Sequence, residues 1–229
     1  MTLTLEATLG DLVTADPRRA RVLEDFGIDY CCSGHRTVSQ AANDAGLDER
    51  EVLRALDLPN PPEPAVVSSV VRQSAELAHD IVDTHHAYLW EEMPRLLALV
   101  EKVHGVHGER HPELAAVHEA FASAVEGLDP HMTREERRVF PAISRLERGY
   151  VVDASTLTAE LDTLRAEHDE VGTLFKQIRA VTRGYEVPED SCGSYRLMLA
   201  GLEAMELDLH EHIHKENNIL FPRVVELLG

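Results

Sequence analysis

The sequence predicts an all-α fold, an up-down-up-down four-helix bundle preceded by a small helical domain. Three observations carry that expectation. Aromatic residues make up only 5% of the chain, low for a β fold, while 44% are hydrophobic, enough for a globular core. Four long stretches, roughly 68–104, 112–147, 154–183 and 190–227, repeat their apolar residues every three or four positions. The Gly-containing segments HGVHGERHP, ERGY and TRGYEVPED separate them, and such short connections imply antiparallel neighbours.

Taken in order, TLGDLVTADPRRARVLEDFGI reads as a short helix, an Asp-Pro restart and a second amphipathic helix ended by Gly27. TVSQAANDAGL and DEREVLRALDL supply two more, with Thr37 and Asp48 as N-caps. DYCCSGH falls in the turn between these halves. LPNPPEP, residues 58–64, has four prolines in seven residues, which favours an extended linker and forbids a continuing helix. The expected division is therefore a small helical domain over 1–57, a Pro-rich linker over 58–67 and the bundle over 68–229. Pro94 and Pro130 fall inside the first two long patterns, where kinks are expected.

Lys plus Arg number 22 against 41 Asp plus Glu, a formal charge of -19 that would repel nucleic acid and anionic membrane surfaces. The start, MTLTLEATLGDLV, has no basic segment followed by a long apolar one, and no stretch reaches the roughly 18 apolar residues of a membrane span. Three cysteines, two of them adjacent, make no disulfide framework. The expectation is a cytoplasmic protein with reactive or ligand thiols, without nucleic-acid or membrane partners.

Histidines interrupt the apolar stripes. The third helix reads Leu157, Leu161, Leu164, His168, Val171, Phe175, Ile178, so His168 occupies a core position. One buried histidine is ordinary. The second helix reads Phe121, Val125, Leu128, then His131 and Glu135, then Val139; the fourth reads Leu202, Met205, Leu209, then His212 and Glu216, then Ile219. HMTREERRVFP and HIHKENNILFP thus repeat one His/Glu/Phe/Pro skeleton 81 positions apart, each placing an imidazole and a carboxylate on one helix face. On the first helix the face through Val82, Leu89 and Met93 includes His86, with His85 beside it.

Two unpaired carboxylates in a dry core cost several kcal/mol each, and neutral histidines do not compensate that charge. Something positive is expected between them. Four histidines and two glutamates exceed the needs of one tetrahedral zinc; two metals bridged by two carboxylates fit the count. His210 and His214 are also four apart and are alternatives to the proposed ligands of the fourth helix.

A histidine-rich bundle with His-x-x-x-Glu resembles a hemerythrin-like domain. With DYCCSGH ahead of it, and with the segments DFGIDYCCSGHRTVSQAA, HHAYLWEEMPRL, HMTREERRVFP, AEHDEVG and HIHKENNILFP in this order, the chain resembles the RIC family of di-iron proteins for repair of iron-sulfur clusters. The resemblance implies six metal ligands, His86, His131, Glu135, His168, His212 and Glu216, and selects His86 over His85. It implies a non-haem di-iron centre, oxo- or hydroxo-bridged, with Glu135 and Glu216 as bridges. It also makes Glu167 a candidate for supporting the centre or releasing its iron. The implied partners are damaged iron-sulfur proteins, O2 or NO as a small ligand, and a second copy in a dimer. The implied function is cluster repair under oxidative or nitrosative stress. An O2/NO sensor and an NO reductase are the alternatives, so enzymatic activity stays open. Trp90 departs from the family, which has a basic residue after the first-helix ligand.

Cys31 and Cys32 are the expected redox thiols. Adjacent Cα atoms lie about 3.8 Å apart, shorter than the roughly 4.4 to 6.8 Å usual for a disulfide, so two free thiols are the simpler reading. Cys192, in PEDSCGSYR at a helix start, reads as incidental, although a helix N-terminus lowers a thiol pKa.

Overall fold

The computed structural model describes residues 3–59 and 73–229. Its helices are α1 (Leu9–Ala15), α2 (Arg18–Asp25), α3 (Val38–Asp44), α4 (Glu49–Ala55), α5 (Ser74–Ile81), α6 (Ala87–His107), α7 (Glu113–Arg134), α8 (Phe140–Glu147), α9 (Ala154–Val181), α10 (Gly193–His214) and α11 (Phe221–Leu228). Three π turns, Val82–His86, Glu135–Val139 and Lys215–Leu220, join α5 to α6, α7 to α8 and α10 to α11. Beyond its first two residues, the expected linker over 58–67 lies outside the described residues, as does the start of the first long pattern.

The chain forms two compact units, one of residues 1–77 with 213–229 and one of residues 78–212. In the first, local chemistry sets each helix end. The Thr8 hydroxyl accepts from the Asp11 amide at the start of α1, and Thr37 with Gln40 forms a reciprocal capping box on α3. Asp48 caps α4. Gly27, at φ +67°, ends α2 in the left-handed conformation that a side chain resists. Leu9, Leu12, Leu23, Val38, Ala42, Val52 and Leu56 are buried, each large side chain contributing about 1.5–3 kcal/mol.

The same unit contains the chain's last helical stretch. Asn218 donates from Nδ2 to the carbonyl oxygens of Cys31 (2.9 Å) and Tyr30 (3.3 Å). A Cβ on Gly34 would overlap Asn218 Oδ1 and lie 2.7 Å from the Tyr30 carbonyl oxygen, so this close approach requires glycine. His214, an alternative ligand on sequence grounds, pairs with Thr14 through Nε2 and with Asn218 through Nδ1.

The second unit is the helical bundle. α6 and α9 both pack on α7. α6 and α10 approach closely at Gly201, where a Cβ would meet Leu96 Cδ1 at 2.9 Å. α9 is tied to α10 by the buried Glu206, which accepts from Arg179 at 2.6 Å and from the Tyr185 hydroxyl at 2.9 Å. Every residue of the α9 stripe listed from sequence, Leu157 through Ile178, is buried. α6 and α7 continue through Pro94 and Pro130, and the departures from α geometry fall instead at the π turns. Among the described residues no helix is long and apolar enough to cross a membrane.

Candidate metal centre

The π turns decide which side chains point inward. In each, an amide bonds five residues back: Ala87 to Val82, Phe140 to Glu135, Phe221 to Glu216. The extra residue buries two adjacent histidines, His85 and His86, where an α-helix presents one. In the third turn it makes Leu220 the buried residue and leaves Ile219 half-buried, correcting the α-helical spacing read from sequence. The wider turn also suits the Phe-Pro pairs: Pro141 and Pro222 have no N–H to donate, and their rings clash with the carbonyl four residues back in a regular helix. The repeated skeleton therefore encodes a π turn, and the helix neither ends nor breaks at its proline.

Within the bundle unit, His86, His131, Glu135, His168 and His212 converge. All five are buried, and Glu135 has no exposed surface. The donor atoms of His86, Glu135 and His212 lie within 4.8 Å of one another, as do those of His131, Glu135 and His168. Glu135 is common to both groups. Its Oε2 lies 3.4 Å from the Nε2 atoms of both His86 and His131. His86 Nε2 is 3.2 Å from His212 Nε2, and His131 Nε2 is 3.1 Å from His168 Nε2. Glu216, in the π turn that follows His212 on the same helix, is also fully buried.

Outer carboxylates hold the rings. His86 Nδ1 lies 3.0 Å from Glu136 Oε1, which also accepts from the Trp90 indole at 3.0 Å. His131 Nδ1 lies 2.8 Å from Glu167 Oε2, while Arg134 donates to the other oxygen at 2.7 Å. The hydrogen bond from His131, assisted by Arg134, lowers the Glu167 carboxyl pKa to about 2. His85 directs Nδ1 to Asp208 at 2.9 Å and stacks on the His212 ring, so His86 is the neighbour whose Nε2 meets Glu135. Sequence reasoning missed Glu136 and Asp208. Spacing along one helix held no signal for either, because each acts on a histidine of another helix, Glu136 on His86 and Asp208 on His85.

These residues fit a bound cation. An ionised carboxylate only accepts, so Glu136 and Glu167 require protons on His86 Nδ1 and His131 Nδ1. Each ring then presents a lone pair at Nε2 toward the interior. On the inside, both oxygens of the buried Glu135 lack a hydrogen bond among the described residues. Lone pairs and an unneutralised carboxylate brought together in a dry core are costly unless positive charge sits among them. Imidazole and carboxylate donors without thiolate suit iron, manganese or zinc.

A cavity of 170 Å³ opens beside two of the histidines, lined by Ser123, Ala124, Gly127, His131, Glu167 and His168 among others.

The Cys-Cys turn is built around Asp29, whose Oδ1 accepts from the amides of Cys31 (3.2 Å), Cys32 (3.0 Å) and Ser33 (3.4 Å). The two sulfurs lie 4.0 Å apart without a disulfide between them, and their donor atoms group with that of Asp29 within 4.8 Å. The contact with Cys32, together with complete burial, pushes the Cys31 thiol well above its usual range. Cys32 is the more accessible of the two, and His35 is exposed.

Comparison with known proteins matches residues 77–224 to the family described as Hemerythrin HHE cation binding domain. Residues 5–59 match ScdA_N, a domain of unknown function (DUF542). The chain is 30% identical over 220 residues to iron-sulfur cluster repair protein ScdA of Staphylococcus haemolyticus, covering 96% of this chain and 98% of that one. It is 33% identical over 219 residues to iron-sulfur cluster repair protein YtfE of Yersinia pestis, covering 95% and 96%. It is 27% identical to ScdA of Staphylococcus epidermidis over 97% of this chain and 99% of that one.

Proposed function

The chain belongs to the family of iron-sulfur cluster repair proteins with a hemerythrin HHE cation binding domain, and we propose on that premise that it returns iron to clusters damaged by oxidative or nitrosative stress. The observation that carries this reading is the sharing of Glu135 between two histidine pairs, which suits two cations held side by side.

We assign His86 and His212 to one iron, His131 and His168 to the other, and Glu135 as a bridge. Glu216 is assigned as the second bridge from its place in the repeated skeleton and its full burial. Glu136 and Glu167 act as positioning residues that keep the imidazole lone pairs turned inward. When bound, the irons supply Lewis acidity and a coordination position for O2 or NO. Four neutral imidazoles and two carboxylates leave two Fe2+ ions incompletely neutralised, which favours release of iron as cargo over permanent retention. Glu167, which lines the cavity beside His131 and His168, is assigned as the carboxylate that receives a departing ion. Cys31 and Cys32 are assigned as redox thiols, and the location is assigned as cytoplasmic, since three cysteines, two of them adjacent, make no disulfide framework. The assigned partners are damaged iron-sulfur proteins and a second copy of the chain in a dimer.

The test is to mix iron-loaded protein with an iron-sulfur enzyme inactivated by NO or peroxide. Recovery beyond that given by the same amount of free Fe2+ is expected; equal recovery sinks the proposal. Metal analysis should find near two iron per chain, reduced by His168→Ala and by Glu216→Ala.

A further inference from the structure

The bundle contains a second group of reactive side chains, built from the end of α6 and the start of α10. Cys192 is exposed and stands immediately before α10, its carbonyl accepting from the Arg196 amide. Its sulfur lies 3.2 Å from Nε2 of the buried His107. Arg110 donates to His107 Nδ1 at 3.2 Å. A guanidinium only donates, so Nδ1 is the bare nitrogen and the ring proton sits on Nε2, pointed at sulfur. The backbone N–H groups of Tyr195 and Ser194 at the start of α10, with the Lys102 charge, favour the thiolate and lower its pKa. The exposed sulfur therefore faces the His107 N–H and the N-terminal end of α10. Such a set stabilises thiolate over thiol.

The other charged groups nearby pair among themselves. Asp190 binds Arg110 at 3.3 Å and His111 at 3.0 Å, and Glu113 takes the other nitrogen of His111. Lys102 reaches Ser194, beside the thiol. About 20 residues of α6 separate His107 from His86, so the thiol lies about 30 Å along the bundle from the metal-ligating histidines.

We propose that Cys192 is a modification site that forms a mixed disulfide with low-molecular-weight disulfides, activated by the His107 N–H and the α10 amides. The Cys192 thiol gives its proton to water, and the thiolate attacks one sulfur of the disulfide. The S–S bond of the reagent breaks, a new one forms to Cys192, and the second half leaves as a thiolate that takes a proton from water. Cys192 is oxidised and the departing half of the reagent reduced.

Glutathione disulfide is the probe, added to the full, reduced chain, with the modified cysteine located by peptide mass spectrometry. Lowering a thiol pKa by one unit raises its thiolate fraction about tenfold near neutral pH and cuts its intrinsic nucleophilicity about threefold. A gain of about threefold or more at pH 7 over the same thiol in the urea-unfolded chain is therefore expected at Cys192. His107→Leu should remove that gain and His107→Gln, which keeps an N–H donor, should restore it. Far-UV circular dichroism and metal content, both expected to be unchanged, separate loss of the donor from loss of the fold. A folded-state rate equal to the unfolded-state rate, or an unaltered rate in a folded His107→Leu chain, overturns the proposal.

Discussion

His131 and His168 face each other through their Nε2 atoms at 3.1 Å, while Glu167 holds the far side of the His131 ring at 2.8 Å. The His131 Nε2 lone pair points at His168, so a proton on His168 or a cation between the rings accounts for the approach. The first consequence concerns Glu135, the buried carboxylate beside them.

Glu135→Gln should have opposite effects in the two forms of the protein. Without metal it removes an uncompensated buried charge and should raise stability by about 1–3 kcal/mol at pH 7. With metal it removes a ligand and should lower stability and metal content together. Thermal unfolding of both forms checks this: the variant melts above the parent when metal-free and below it when loaded.

Glu136→Gln and Glu167→Gln leave the proposed ligands in place but loosen the rings behind them. Metal affinity should fall about 10–100-fold in each, measured by competition with a chelator of known affinity. Retention of parental affinity in both would contradict the inward-facing lone-pair assignment.

Gly34→Ala places a methyl group where Asn218 and the Tyr30 carbonyl already sit. The Cys-Cys turn must shift, releasing the hydrogen bonds from Asn218, each worth about 0.5–1.5 kcal/mol. Faster amide exchange across residues 30–34 is expected, with no such change in Gly105→Ala, where nothing lies within 4 Å of the added atom.

Asp153 caps α9 by accepting from the Thr156 amide and from the hydroxyls of Ser155 and Thr156. The Ser155 hydrogen bond and the Thr156 bonds lower its pKa to about 2 from 3.8. The folded form therefore binds this proton less readily than the unfolded form. Its contribution is present above pH 3.8 and is lost as pH falls toward about 2. Asp153→Ala should lower the melting temperature of the metal-free chain at pH 6, and the difference should vanish near pH 2.

Much of this molecule was legible in the sequence because its signals were local or periodic. Thr37, Asp48 and Gly27 act at helix ends through their own side chains or lack of one. The α9 stripe could be read because that helix has no irregularity between Ala154 and Val181. The π turns were not read, since a period of 3.6 residues assumes the geometry they interrupt; Phe-Pro after His-x-x-x-Glu was the trace of two of the three. Glu136 and Asp208 escaped for another reason. Each acts across helices, on His86 and His85, and spacing along one helix does not reveal its neighbour.

The turn at Glu135–Val139 also limits how this chain can vary in length. It contains one residue more than an α-helix would use, and each residue turns a helix by about 100°. Deleting one of the residues after Glu135 would let the helix close as a regular α-helix with α8, and its buried Phe140 and Ile143, still in phase. The cost would fall on Pro141, whose ring a regular helix brings against the carbonyl four residues back.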